Sequence, residues 1–219
     1  MCSCFRQQYI NYTFGQSNLQ VIEEENFKTF NEFYYSDEIT SKSKISPRQN
    51  ILDIKKITIN FIQCFDKEDT KNLLFTGKTG VGKTFMLNCI AYELLKRDKT
   101  VIYKTAFELF DTINKYKLQY NINYDSYDYN QIFDVDLLII DDLGAEPKSD
   151  SKHSELLNIL NKRQIKNLRT IISTNLGLKE IYQEYSERIF SRIIENFEVL
   201  RFFGQDIRAI KSRDKNNKG

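Results

Sequence analysis

The sequence predicts an α/β fold, a parallel sheet with helices on both faces. Three observations carry this expectation. From residue 72 to residue 203, apolar runs of strand length alternate with segments of helical period, the pattern of strands joined by crossover helices. A glycine-rich phosphate-binding signature at 77–84 lies between the first apolar run and the helical segment after it. A later, strongly apolar run at 135–140 ends in the adjacent acids Asp141 and Asp142.

Residues 1–45 scatter aromatics among polar residues without a sustained period, and read as a lead-in. Ser46 and Pro47 form an N-cap with proline at the first helical position. Ile51, Ile54, Ile57, Phe61, Ile62 and Phe65 then recur at helical spacing, predicting a helix over 47–65. A buried strand is expected at 72–76, a helix at 85–97, a strand at 100–104 and a helix at 106–118. In that last helix Phe107, Phe110 and Ile113 share the spacing of a core face. Residues 119–131, rich in Tyr, Asn and Asp, read as a surface excursion. The strand at 135–140 precedes a helix at 151–166, a strand at 169–174, one or two helices over 178–196 and a strand at 197–203. The main domain is thus expected over 46–210, with a charged, disordered tail at 211–219.

The chain has 219 residues, enough for one large domain or one domain with an appendage. Lys+Arg total 32 against Asp+Glu 30, which excludes a polybasic protein as a whole. His153 is the sole histidine, so no two-histidine metal site exists. No Gly-x-Ser-x-Gly elbow accompanies it, and it is expected at the surface. No apolar run reaches the ~18 residues of a membrane span. The first residues lack the apolar core of a signal peptide, and the expected compartment is the cytoplasm. Cys64 and Cys89 fall in apolar helical patterns and are expected to be small reduced core residues.

Gly77-Lys78-Thr79-Gly80-Val81-Gly82-Lys83-Thr84 matches GxxxxGK[ST] in full. The glycines let backbone N–H groups turn inward around phosphates, and the loop opens onto the positive end of a helix beginning near Phe85. Lys83 is expected to reach the β- and γ-phosphates and the Thr84 hydroxyl to ligate Mg²⁺. Asp141 is expected to hold Mg²⁺ through water, and Asp142 to orient the attacking water. Asn175, at the end of the strand at 169–174, can place an amide near the γ-phosphate. Arg188 and Arg192 stand four apart on one helical face, and either can serve as a finger supplied to a neighbouring subunit. The alternative is surface pairing, Arg188 with Glu184 and Arg192 with Glu195. Arg208 is a candidate second arginine at the nucleotide, with a salt bridge as its alternative.

Taken together, residues 73–84, 136–144, 171–176, 187–193 and 203–208 resemble AAA+ ATPases of the DnaC/DnaI helicase-loader type, a group that includes the IstB transposition helpers. The resembling stretch runs from about 26 to 208. The resemblance implies a three-layer P-loop NTPase fold whose parallel five-stranded sheet has the order 5-1-4-3-2, without a full C-terminal helical lid. It implies ATP and Mg²⁺ as ligands and ATP hydrolysis as the activity. Arg192 would act in trans, and Asn175 matches the family's sensor asparagine. The implied partners are a replicative helicase, single-stranded DNA and further copies of the chain in a ring or spiral. The start Cys2-Ser3-Cys4 resembles the last half of the zinc site in the N-terminal helicase-binding domain of the loaders. Most of that domain is therefore expected to be missing, and no zinc is expected, because two thiolates do not complete a tetrahedral site.

For DNA the matching region offers Lys115, Tyr116, Lys117 and Tyr120, which interleave cations with aromatic faces. Three other readings stand beside the loader: a transposition helper ATPase, a small-molecule phosphotransferase and a non-hydrolysing nucleotide-dependent binding module. A phosphotransferase lid would supply arginines, and residues 119–134 contain none.

Overall fold

Ser46 caps the first helix as its position suggests, its Oγ accepting from Gln49 N–H at 3.1 Å with Pro47 in the first turn. The structure, a computed structural model, describes residues 24–39, 43–118, 127–147 and 150–216. Helix α1 (Pro47–Gln63) buries Ile51, Ile54, Phe61 and Ile62. Strand β1 (Asn72–Thr76), helix α2 (Lys83–Leu95), strand β2 (Val101–Thr105) and helix α3 (Ala106–Leu118) follow. Then come α4 (Tyr127–Asp134), β3 (Leu137–Leu143), α5 (Asp150–Ile165), β4 (Arg169–Thr174), α6 (Leu178–Glu184), α7 (Glu187–Asn196), β5 (Phe197–Arg201) and α8 (Ile207–Asn216).

All five strands are parallel, in the order β2-β3-β4-β1-β5. This is the order 5-1-4-3-2 read from the other edge, on the P-loop AAA+ plan. Each sheet face is covered by its own apolar cluster: one with α1, α2 and Phe202, the other with α3, α5 and α7. Strands buried on both faces carry continuous apolar runs rather than alternation, as Leu137, Leu138, Ile139 and Ile140 do. One helix, α8, follows the sheet among the described residues.

Several expectations change. The excursion at 119–131 overlaps α4, because Ile132 and Phe133 are buried and Tyr129 packs between Tyr116 and Phe133. Strand β3 starts two residues later than predicted and runs through both acids, while Val135 stays buried just before it. Phe107 is 66% exposed; only Phe110 and Ile113 of the expected core face are inside. The expected disordered tail overlaps α8 as far as Asn216, with the Lys211 ammonium 5.3 Å from the Tyr34 ring centroid. Residues 24–39, read as a lead-in, are part of the domain, since Phe27, Phe30, Tyr34 and Tyr35 pack onto the α1–α2 cluster. His153 is half-buried with its ring 5.1 Å from that of Tyr185. Cys89 is buried and Cys64 half-buried, both as free thiols. Cys2 and Cys4 lie outside the described residues.

At the amino ends of the strands, Arg163 has no exposed surface and pins α5 to the sheet. Its guanidinium donates to the carbonyls of Ile132 (2.9 Å), Val135 (3.0 Å) and Arg169 (2.6 Å), and to Thr170 Oγ1 (3.0 Å). Burial pushes it down to about 9, countered by Asp136 and Asp134, so it stays charged at neutral pH.

Candidate nucleotide site

The phosphate loop leaves β1 at Gly77 and ends where α2 begins at Lys83. Its backbone is set by contacts with distant segments. Gly80 has φ +80°, and a Cβ there would lie 2.2 Å from Asp206 Oδ1. At Gly82, φ +97°, a Cβ would lie 2.2 Å from the Tyr35 hydroxyl oxygen. Both positions therefore need glycine for conformation, and a side chain at either would have to displace Asp206 or Tyr35. Ile207 N–H donates to Gly80 O at 2.9 Å, and the Tyr35 hydroxyl donates to Val81 O at 3.2 Å. The loop is thus clasped from the start of α8 on one side and from residues 24–39 on the other.

Lys83 is buried, and its ammonium donates to Gly77 O (2.6 Å), Lys78 O (2.9 Å) and Asn175 Oδ1 (2.7 Å). Strands β1 and β4 are neighbours, which brings Asn175 to the loop across nearly a hundred residues of sequence. Burial lowers the Lys83 pKa; the carboxylates of Asp142 and Asp141 oppose this, and Arg208 adds to it.

Asp141 is buried at the end of β3. Its Oδ2 accepts from Thr84 Oγ1 at 3.2 Å and from the Tyr103 hydroxyl. Its Oδ1 accepts from Ser173 Oγ and, at 3.0 Å, from Asp142 N–H. Burial, then the Asp141 charge, push the Tyr103 phenol far above its ordinary range, so it remains a donor. The β3–β4 register shifts after Ile140, and Asp142 takes φ +55°. Aspartate tolerates this left-handed backbone better than most residues. Asp142 lines the same pocket as the phosphate loop. Burial and Asp141 raise its pKa, while Lys83 and Arg208 hold it down.

A pocket of about 190 Å³ lies against the phosphate loop. Thr79, Gly80, Gly82, Lys83, Thr84, Phe85, Asp142, Asn175 and Arg208 of the sequence-predicted set are on its wall. Gly77 and Lys78 meet Lys83 through their carbonyls, Val81 meets Tyr35, and Asp141 sits behind Thr84. The pairing of a hydroxyl with a buried carboxylate supplies hard oxygen donors, which suits Mg²⁺. Arg192 is outside this pocket on α7, donating from Nε to Asn161 Oδ1 at 3.0 Å and pairing with Glu195 at 3.3 Å. Arg188 is exposed on the same helix.

The other end of the pocket was not foreseen. Phe30, Tyr34 and Tyr35 face Phe85 and Ile207 there, and the Phe30 ring lies 6.4 Å from Tyr35 and 6.2 Å from Phe85. Asn88 of α2 donates to Glu25 Oε2 at 2.7 Å, fixing the start of the segment. The aromatic density of 27–35 was the available signal, but nothing in it names a partner. Tyr103 and the role of Ser173 were also missed.

The DNA candidates are engaged within the chain. Lys115 pairs with Asp111 at 2.7 Å, Lys117 with Glu155, and Tyr116 stacks on Tyr129 with centroids 4.0 Å apart. Tyr120 lies outside the described residues.

Known proteins resemble this chain in sequence and in fold. The chain is 26% identical over 133 residues to the replicative helicase loader DnaC of Escherichia coli strain K12, covering 61% of this chain and 54% of DnaC. It is 26% identical over 175 residues to a putative ATP-binding protein of insertion sequence IS232 from Bacillus thuringiensis subsp. berliner, covering 78% and 66%. The chain thus spans between half and two thirds of the length of these relatives. AMPPCP-bound DnaA from Aquifex aeolicus superposes with a TM-score of 0.66 at 18% identity, over 90% of this chain and 55% of that one, a likeness of fold. The model of the IstB-like ATP-binding proteins matches residues 26–214, and the chain belongs to that family.

Proposed function

We propose that this chain binds ATP with Mg²⁺ and hydrolyses ATP to ADP and phosphate, slowly and only when assembled with further copies of itself. The observation that carries the reading is the convergence of Lys83, Asn175 and Asp142 on one pocket wall, with the Thr84–Asp141 pair beside them. Loop N–H groups and the Lys83 ammonium neutralise phosphate charge. Thr84, and Asp141 through water, would hold Mg²⁺, which would neutralise phosphate charge when bound. Asp142 orients water, and the Asn175 amide fixes the γ-phosphate or that water. Arg208 adds a cation from the same chain. The rings of Phe30, Tyr34 and Phe85 offer flat apolar faces to a base.

Arg192 is the finger for a neighbour's phosphates, which explains why it lies outside its own chain's pocket. The assembly, a ring or spiral, acts in the cytoplasm as a helicase loader, gripping single-stranded DNA and a replicative helicase. Its likeness to the DnaC loader supports this. The likeness to an insertion-sequence ATP-binding protein supports a second reading, a helper ATPase for a transposase. Binding assays against a purified replicative helicase and a transposase separate the two.

The test is ATP hydrolysis measured against protein concentration, with and without single-stranded DNA. Specific activity is expected to rise with concentration and with DNA, and Arg192→Ala to lower it by about 10³-fold while leaving ADP binding intact. Activity independent of concentration and insensitive to Arg192→Ala would sink the assembly-dependent reading.

A further inference from the structure

Asp141 accepts as many hydrogen bonds as a carboxylate has room for. An ionised carboxylate offers about four acceptor sites, two on each oxygen. Ser173 Oγ–H and Asp142 N–H engage Oδ1, while Thr84 Oγ1–H and the Tyr103 hydroxyl engage Oδ2. A hydrated Mg²⁺ needs an acceptor on the same carboxylate, so one of these donors has to yield.

Three of them are poor candidates. The Asp142 N–H belongs to the backbone of β3, beside its register shift. Ser173 is fully buried, and its oxygen also accepts from Asp142 N–H at 3.1 Å. Thr84 opens α2 directly behind the phosphate loop and is itself a metal ligand in the reading above. Tyr103 differs from all three. It stands on β2, the edge strand, is half-buried, and its ring packs against the α1–α2 core cluster. Its hydroxyl alone reaches the carboxylate.

We propose that Tyr103 is a positioning residue that competes with Mg²⁺ for Oδ2 of Asp141, and so sets how strongly metal and nucleotide binding are coupled. This rests on the ATP·Mg²⁺ reading of the site. A phenol donating to the carboxylate satisfies part of its charge, and the metal gains only the difference between the two bonds. The consequence has a definite sign: removing the hydroxyl strengthens metal coupling, whereas a hydroxyl that merely supported Asp141 would weaken coupling when lost.

The experiment titrates ADP into the wild-type chain and Tyr103→Phe, each with Mg²⁺ present and with Mg²⁺ chelated by EDTA, by calorimetry. The ratio of the two dissociation constants measures the coupling. In Tyr103→Phe the ratio is expected to be about three- to tenfold larger, with the affinity in EDTA within about twofold of wild type. Tyr103→Leu, which discards ring and hydroxyl together, is expected to shift the ratio in the same direction even if its melting temperature falls. An unchanged ratio makes the hydroxyl a packing group and overturns the proposal, and a smaller ratio overturns it by making Tyr103 a support. If wild type itself fails to bind ADP, the nucleotide reading falls and takes this one with it. If wild type shows metal coupling that Tyr103→Phe preserves, only the role of Tyr103 falls.

Discussion

Both ends of the sheet carry polar and charged groups that interact with one another, yet the two ends do opposite things. At the amino ends of the strands, Arg163 is enclosed and spends its donors on main-chain carbonyls and Thr170. Arg169 nearby donates to Phe65 O and Lys67 O, and Asp136 accepts from Thr100 N–H and Oγ1. Every partner there is fixed by the fold. At the carboxyl ends, Lys83, Asp142, Asn175 and Arg208 also interact with one another, but they share a pocket wall. Open α/β sheets place ligands outside the carboxyl ends of their strands, and the contrast gives the reason. A dense polar network becomes a site only when its charges face a space a ligand can enter.

Two substitutions test this separation. Arg163→Met removes a buried cation and leaves several carbonyls without donors, so unfolding in urea is expected to cost about 3–5 kcal/mol less. The folded fraction should bind ADP as wild type does. Lys83→Ala is expected to weaken ADP by about 100-fold, through loss of a charge-assisted contact, with little change in the urea midpoint. If Arg163→Met weakens ADP in the folded state, or Lys83→Ala unfolds the chain, the two ends are coupled and the contrast fails.

How much of this was legible in sequence divides along the same line. The phosphate loop and the acids at the end of β3 are local motifs, because close backbone approach to an anion demands glycine, lysine and hydroxyl at fixed spacing. Asn175 belongs to no local motif; it was legible through the resemblance, whose strand order sets the strand before it beside β1. Arg163 was invisible, since an arginine inside a helical pattern looks the same whether it faces water or a ring of carbonyls. Strand β3 was placed two residues early because apolar character began before pairing did. Phe107 was misassigned because helical spacing admits more than one face, and α3 turns that position outward. The charge of residues 211–219 predicts disorder, yet α8 continues to Asn216 and the Lys211 ammonium lies over the Tyr34 and Phe85 rings.

Residues 24–39 show the limit most sharply, and they yield the prediction of smallest effect. Their aromatics have no period because they follow the outline of the pocket rather than a helix or strand. Only contact with α1, α2 and the phosphate loop gives them a role. The Tyr35 hydroxyl links this segment to the loop through Val81 O. It also fills the space that Gly82 leaves. Tyr35→Phe keeps the ring and removes only that bond, a loss of about 1 kcal/mol for a buried neutral pair. ADP affinity is expected to fall by about two- to fivefold, because the loop gains freedom that binding must then remove. A calorimetric titration decides the matter. An affinity equal to wild type would mean that the loop is held by its own glycines and by the Ile207–Gly80 bond alone. The N-terminal segment would then contribute to the base end of the pocket and nothing to the phosphate end.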